Sequence, residues 1–151
     1  MYNPSVQEYE LTDGDAAAVA GMLARFELFA ALSPEHIRRL VPFVGLRRYE
    51  EGELVIEKDD PGDAFYLIYS GEVEVTVPGF LSDKVVTRLG PGQFFGELAL
   101  LLRQPRSATV AAIAPTELFV LKSLDFEMVL EREPDIAALV KSVAKTRFDE
   151  R

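Results

Sequence analysis

The sequence predicts an α+β protein that is mainly β, an antiparallel sandwich or barrel framed by helices. Three observations carry that prediction. From Gly45 to Leu121 short apolar or alternating runs are divided at regular intervals by turn residues; on either side of that region apolar residues return at helical spacing; and no apolar run approaches the roughly 18–20 residues that a membrane span needs. A chain of 151 residues with 48% hydrophobic content is ample for one core, so a single domain is the economical reading.

Residues 1–11 carry Pro4 and polar side chains without a period, and read as a loose lead-in or docking arm. Helical spacing starts at Thr12, a cap with Asp13 and Asp15 in the turn that follows, and Val19, Met22, Leu23 and Phe26 return on one face. Ser33 and Pro34 repeat the device as cap and first helical residue. This second helix buries Ile37, Leu40 and Val41 and stops or bends at Pro42, while His36 reads as ordinary helix surface.

Strands are expected at 46–49, 54–57, 64–69, 72–77 and 84–89, divided by turn residues such as Gly52, Gly62, Gly71 and Gly90, with Gln93, Phe94 and Phe95 leading out of the last turn. Residues 72–77 alternate cleanly, as a strand with one wet face does. Two more strands follow at 107–113 and 117–121. Ser123 then caps a helix with Asp125 in its first turn and Phe126, Val129 and Leu130 on its buried side. Pro134 starts a final helix carrying Ile136, Leu139, Val140 and Val143, with Lys141, Lys145 and Arg147 toward its C-terminal end; the proline junction is a hinge candidate.

Composition removes several classes of function. A formal net charge of −9 argues against a general nucleic-acid surface, since phosphate backbones are held by excess Lys and Arg. With no cysteine there are neither disulfides nor thiolate ligands, and a single histidine leaves no two-histidine metal site and no imidazole relay. The first ten residues lack the basic start of a signal peptide, so the expected address is cytoplasmic. No metal and no cofactor are expected, and no carboxylate pair stands near a nucleophile as an enzyme would need.

One stretch carries chemistry. Residues 95–110 read FGELALLLRQPRSATV, a turn or two of helix that passes through Pro105 into Arg106, Ser107 and a strand. Gly96 lets backbone approach a ligand, and a helix starting there points N–H groups at whatever lies in front. Arg106 adds a planar fork of donors that matches phosphate oxygens. Glu97 is a poor companion for a phosphate but a good acceptor for hydroxyls, as an acidic residue is for a ribose. Phosphate donors beside a hydroxyl acceptor describe a sugar phosphate or nucleotide.

The same residues resemble the phosphate-binding cassette of the cyclic nucleotide-binding domain family: Phe95-Gly96-Glu97, apolar residues, a short loop, then Pro105-Arg106-Ser107-Ala108-Thr109-Val110 without a gap. The turn glycines also fall where the family's do, so the likeness covers residues 29 to about 148. What it implies is a jelly-roll-type β-roll with N-terminal helices and two C-terminal helices, hinge and lid. It divides the chain into a lead-in at 1–28 and a cyclic nucleotide-binding domain at 29–151. By resemblance, Glu97 takes the ribose 2′-hydroxyl, Arg106 the cyclic phosphate, Ser107 adds a hydroxyl, and the backbone N–H groups of Gly96, Leu98 and Ala108 help. Val75 and Val86 would line the purine, and Arg147 falls where some bacterial potassium channels of this family place a purine-capping arginine. The implied ligand is cyclic AMP, with cyclic GMP possible through Ser107. The implied partner is a protein or a further effector domain. A docking module with this fold that binds no nucleotide is the main rival. In regulators of the catabolite-activator type a DNA-reading helix-turn-helix follows the last long helix; with room for one helix before Arg151, either the chain is not of that type or its output domain lies elsewhere.

Overall fold

The computed structural model describes residues 6–102 and 104–149, without the side chains of Leu98 and of residues 146–149. Close packing divides the chain into two units. One holds residues 1–10 and 45–123, the other residues 11–44 and 124–151.

The first unit is a pair of antiparallel sheets, the jelly-roll arrangement expected. One sheet runs in the order β1 (Glu8–Tyr9), β2 (Val44–Tyr49), β9 (Thr116–Lys122), β4 (Ala64–Ser70), β7 (Phe94–Phe95); the other runs β3 (Leu54–Ile56), β8 (Thr109–Ala112), β5 (Val73–Val77), β6 (Lys84–Leu89). The core explains the strand spacing: Tyr66 and Ile68 of β4, Leu118 and Val120 of β9, and Val73, Val110 and Ala112 of the other sheet turn inward together. Strand β4 reads as a continuous apolar run because Phe65 and Leu67, on its other face, are buried too; Phe65 meets Phe94 edge-on with ring centroids 5.8 Å apart. Strand β6 is different. Lys84 to Arg88 are exposed, and the loop before it carries Phe80 and Leu81 at 98% and 90% exposure.

Two short strands were not expected, β7 where Phe94 and Phe95 lead into the cassette and β1 in the lead-in. The lead-in is not loose at Glu8 and Tyr9, which pair with Arg47 and Leu46 at the edge of β2. Two residues are too few to show a period, so no pattern marked them.

The second unit is helical. Helix α1 (Asp13–Arg25) starts as predicted, with Thr12 and Asp15 exchanging capping bonds, and buries Val19 and Leu23; a short 3-10 turn (Glu27–Phe29) follows. Helix α2 (Pro34–Leu40) gives way to another such turn (Val41–Phe43) with Pro42 inside it. Helices α3 (Ser123–Arg132) and α4 (Pro134–Asp149) complete the unit, burying Phe126, Val129, Ile136 and Val140. Phe29 ties the parts together, with Phe26 at 5.0 Å and Phe126 at 5.7 Å between ring centroids.

Two sequence expectations are corrected here. His36 is not plain surface: its Nδ1 accepts from the Ser33 backbone N–H at 3.0 Å, and its Nε2 lies 3.1 Å from Asp135 Oδ2. A backbone N–H can only donate, so the ring proton sits on Nε2 and points to Asp135. Arg39 reaches the same carboxylate at 3.0 Å and Glu133 at 3.1 Å, closing a polar clasp between α2 and the start of α4. Second, Ser123 does not cap α3 with its side chain. Its hydroxyl donates to the Ala99 carbonyl at 2.8 Å.

Candidate functional site

The cassette stretch forms around Gly96, which takes φ +77°, a conformation that L side chains rarely adopt. A Cβ there would also fall 2.9 Å from Arg106 Nη1 and 3.0 Å from the Ala64 carbonyl oxygen. Glycine is needed on both counts. The chain then makes a 3-10 turn (Glu97–Leu100) closed by the Ala99 N–H donating to the Gly96 carbonyl at 3.1 Å. The helix expected here is thus one tight turn, and Ser123 pins its Ala99 carbonyl from below.

Arg106 is positioned by its backbone and its side chain together. Its N–H donates to the Asp60 carbonyl at 2.7 Å, and its own carbonyl accepts from the Asp59 N–H at 2.8 Å, beside a strand bridge between Pro61 and Pro105. Its guanidinium donates through Nη2 to the Ala64 carbonyl at 2.6 Å and through Nη1 to the Gly96 carbonyl at 3.4 Å, with the Asp63 carboxylate 3.9 Å away. The side chain is only 9% exposed. Burial lowers the guanidinium below its ordinary value, and the hydroxyl of Tyr66 with the carboxylates of Asp63 and Glu97 pulls the other way. Tyr66, pushed up to about 12 mainly by burial, stays protonated.

Glu97, Arg106, Ser107 and Ala108 share one cavity of about 240 Å³ with Gly96. The polar residues Glu97, Arg106 and Ser107 line it. So do the apolar residues Ile56, Val75, Phe95 and Val110. A cavity lined by a buried cation, a carboxylate and apolar side chains suits a ligand that is anionic on one part, hydroxylated on another and flat or apolar on a third.

Of the residues singled out from sequence, Gly96, Glu97, Arg106, Ser107 and Ala108 come together. Leu98 contributes its place in the turn, its side chain lying outside the described residues. Arg147 belongs to α4, and its side chain also lies outside the description. Val75 lines the cavity as expected. Val86 does not, standing 56% exposed on β6. Sequence reasoning missed Ile56, Gln104 and Val110 as cavity wall, since it is the folded chain and not their spacing that brings them to the cassette.

Comparison with known proteins bears on the family and the fold. The family model described as cyclic nucleotide-binding domain matches residues 46–133. The chain is 33% identical over 138 residues to a cyclic nucleotide-gated potassium channel of Mesorhizobium japonicum, covering 91% of this chain and 37% of the channel. It is 33% identical over 125 residues to the cyclic AMP receptor protein of Thermus thermophilus, covering 82% and 57%. Among solved structures, the regulatory domain of Toxoplasma gondii PKA crystallised with cAMP superposes with a TM-score of 0.74 at 29% identity, over 80% of this chain and 46% of that one. The chain spans 26–37% of the length of the first curated relatives it matches.

Proposed function

The chain belongs to the cyclic nucleotide-binding domain family, and we propose that its cassette binds a cyclic nucleotide, cyclic AMP in preference to cyclic GMP, and passes that event to α3 and α4. The carrying observation is the buried Arg106 guanidinium held beside Glu97 in a single cavity. Arg106 faces the cyclic phosphate with its charge, Ser107 adds a hydroxyl, and the backbone N–H groups of Gly96, Leu98 and Ala108 complete the anion's shell. Glu97 accepts from the ribose 2′-hydroxyl. The purine lies toward Val75, Ile56 and Val110, and Arg147 from α4 covers its outer face.

The switch runs through the bond from Ser123 to Ala99. Ligand ordering of the 3-10 turn moves the carbonyl on which the first residue of α3 hangs, and α4 follows beyond the Pro134 junction. A ligand shifts such an equilibrium only by its differential affinity for the two states, so the lid must contact the ligand in one of them. The module is regulatory rather than catalytic, acts in the cytoplasm and signals to a protein partner or attached domain. The division into a lead-in at 1–28 and a binding domain at 29–151 belongs to the same proposal. No described helix is long and apolar enough to cross a membrane.

Calorimetric titration tests the reading. Replacing Arg106 with Leu should weaken cyclic AMP binding at least about a hundredfold, since two charge-assisted bonds are each worth roughly 1.5–3 kcal/mol. Circular dichroism should show the fold retained. Undiminished affinity in the Arg106→Leu protein would remove the phosphate role and leave the fold as a docking module.

A further inference from the structure

Strand β1 is only two residues long, yet its side chains sit in a fitted receptor on the edge of β2. Glu8 bridges two cations: Oε1 accepts from Arg47 Nε at 3.2 Å and Oε2 from Lys122 Nζ at 3.2 Å. Gly45 clears the space for it, because a Cβ there would fall 2.6 Å from Glu8 Cδ. Across the strand the Arg48 guanidinium lies 4.4 Å from the centre of the Tyr9 ring. Val6 and Glu8 line a cavity of about 360 Å³ together with Leu54, Val55, Tyr49 and Tyr66, and Ile56 and Arg106 line both this cavity and that of the cassette.

Each of these groups dictates part of an occupant. Two cations, with Arg47 only 18% exposed, call for a carboxylate. A strand edge calls for an extended backbone, Arg48 for an aromatic ring next along, and the sheet core on which Val6 packs for an apolar side chain two residues before the acid. Val6, Glu8 and Tyr9 meet all of these demands. Among the described residues their hold is nonetheless slight: two register pairs along a β2 that is six residues long, and ion pairs whose acid is 37% exposed and whose lysine is 47% exposed. So short a strand opens and recloses far more readily than the core strands. A strand from elsewhere that matched the whole of β2 would outdo it in backbone bonds.

We propose that the β2 edge, with Arg47, Arg48 and Lys122, is a docking site for an acidic extended peptide of a partner protein, of the pattern apolar, any residue, Glu, aromatic, and that residues 6–9 are its built-in placeholder. A second copy of this chain is the weaker occupant, since exchanging identical arms adds no bond and gives up the high effective concentration of the tethered one.

The test is independent of nucleotide and is run without any. A dye-labelled peptide with the sequence of residues 5–12 is titrated by fluorescence anisotropy into the full chain and into its Glu8→Arg variant. Like charge against Arg47 and Lys122 drives the variant's own arm off, so it should bind the peptide at least about tenfold more tightly than the wild type does. A Gln in place of the peptide's first Glu should weaken binding about fivefold or more, and Gly45→Val added to Glu8→Arg should abolish it, its branched side chain filling the carboxylate's place. Should Glu8→Arg fail to fold by circular dichroism, the wild-type chain carries the test: excess peptide should slow hydrogen exchange along β2 beyond Leu46 and Arg47. Equal affinity for wild type and variant, indifference to the Gln peptide, or unchanged exchange along β2 overturns the proposal. Reversible dimerisation of the wild type in sedimentation without peptide overturns it in favour of a second copy.

Discussion

Arg106 reaches the cassette cavity with part of its hydrogen-bonding already committed, to the carbonyls of Ala64 and Gly96. These bonds fix a long side chain before any ligand arrives, which lowers the rotamer entropy that binding must overcome. A lysine keeps the charge but has neither the planar fork nor a way to be held from two sides. Arg106→Lys should therefore still weaken cyclic AMP about tenfold or more in calorimetry. Gly96→Ala should destabilise the fold by roughly 1–3 kcal/mol in urea unfolding, from its positive φ and from crowding against Arg106. At this scale much of the site was legible. Gly96, Glu97, Arg106, Ser107 and Ala108 lie within one contiguous stretch, and their residue types name their chemistry. Asp63, Ala64 and Tyr66 were not legible as neighbours of Arg106, because sheet pairing rather than sequence spacing brings them there.

Among the elements, the proposed switch rests on Ser123. The Ser123→Ala change leaves the buried Ala99 carbonyl without that donor and should cost about 1–3 kcal/mol in unfolding experiments. It should also weaken cyclic AMP binding if the bond transmits the switch. The clasp at the start of α4 is sensitive to acid. Asp135 is held below its ordinary value of 3.8, first by the Ile136 N–H, then by Arg39 and His36. A depressed carboxylate stabilises fully above its unfolded value and loses that contribution as pH falls through the folded one. The melting difference between wild type and Asp135→Asn should thus shrink as pH falls below 3.8. Helix starts at Thr12, Ser33 and Pro134 were legible from capping chemistry. The roles of Ser123 and His36 were not: a serine before a helix looks like a cap whichever way its hydroxyl turns, and only the fold brings Asp135 to His36.

For the whole molecule, the alternation of short runs and turn residues was enough to give a mainly antiparallel fold between helices, and the cassette resemblance narrowed it to a jelly roll. What stayed hidden was the edge, since two residues of β1 leave no pattern to read. A ligand that binds only the folded state raises its melting temperature, by about 2.7 kcal/mol of stabilisation at a hundredfold excess over Kd. Differential scanning with cyclic AMP should show that rise in the wild type and not in Arg106→Leu. The hairpin tip has a colloidal consequence. Phe80 and Leu81 stand almost wholly in water on a chain of net charge −9, so mutual repulsion is what keeps such greasy tips apart. As the solution is brought toward the isoelectric point near 4.7, that repulsion vanishes and light scattering should climb. The Phe80→Ser, Leu81→Ser protein should stay clear under the same conditions.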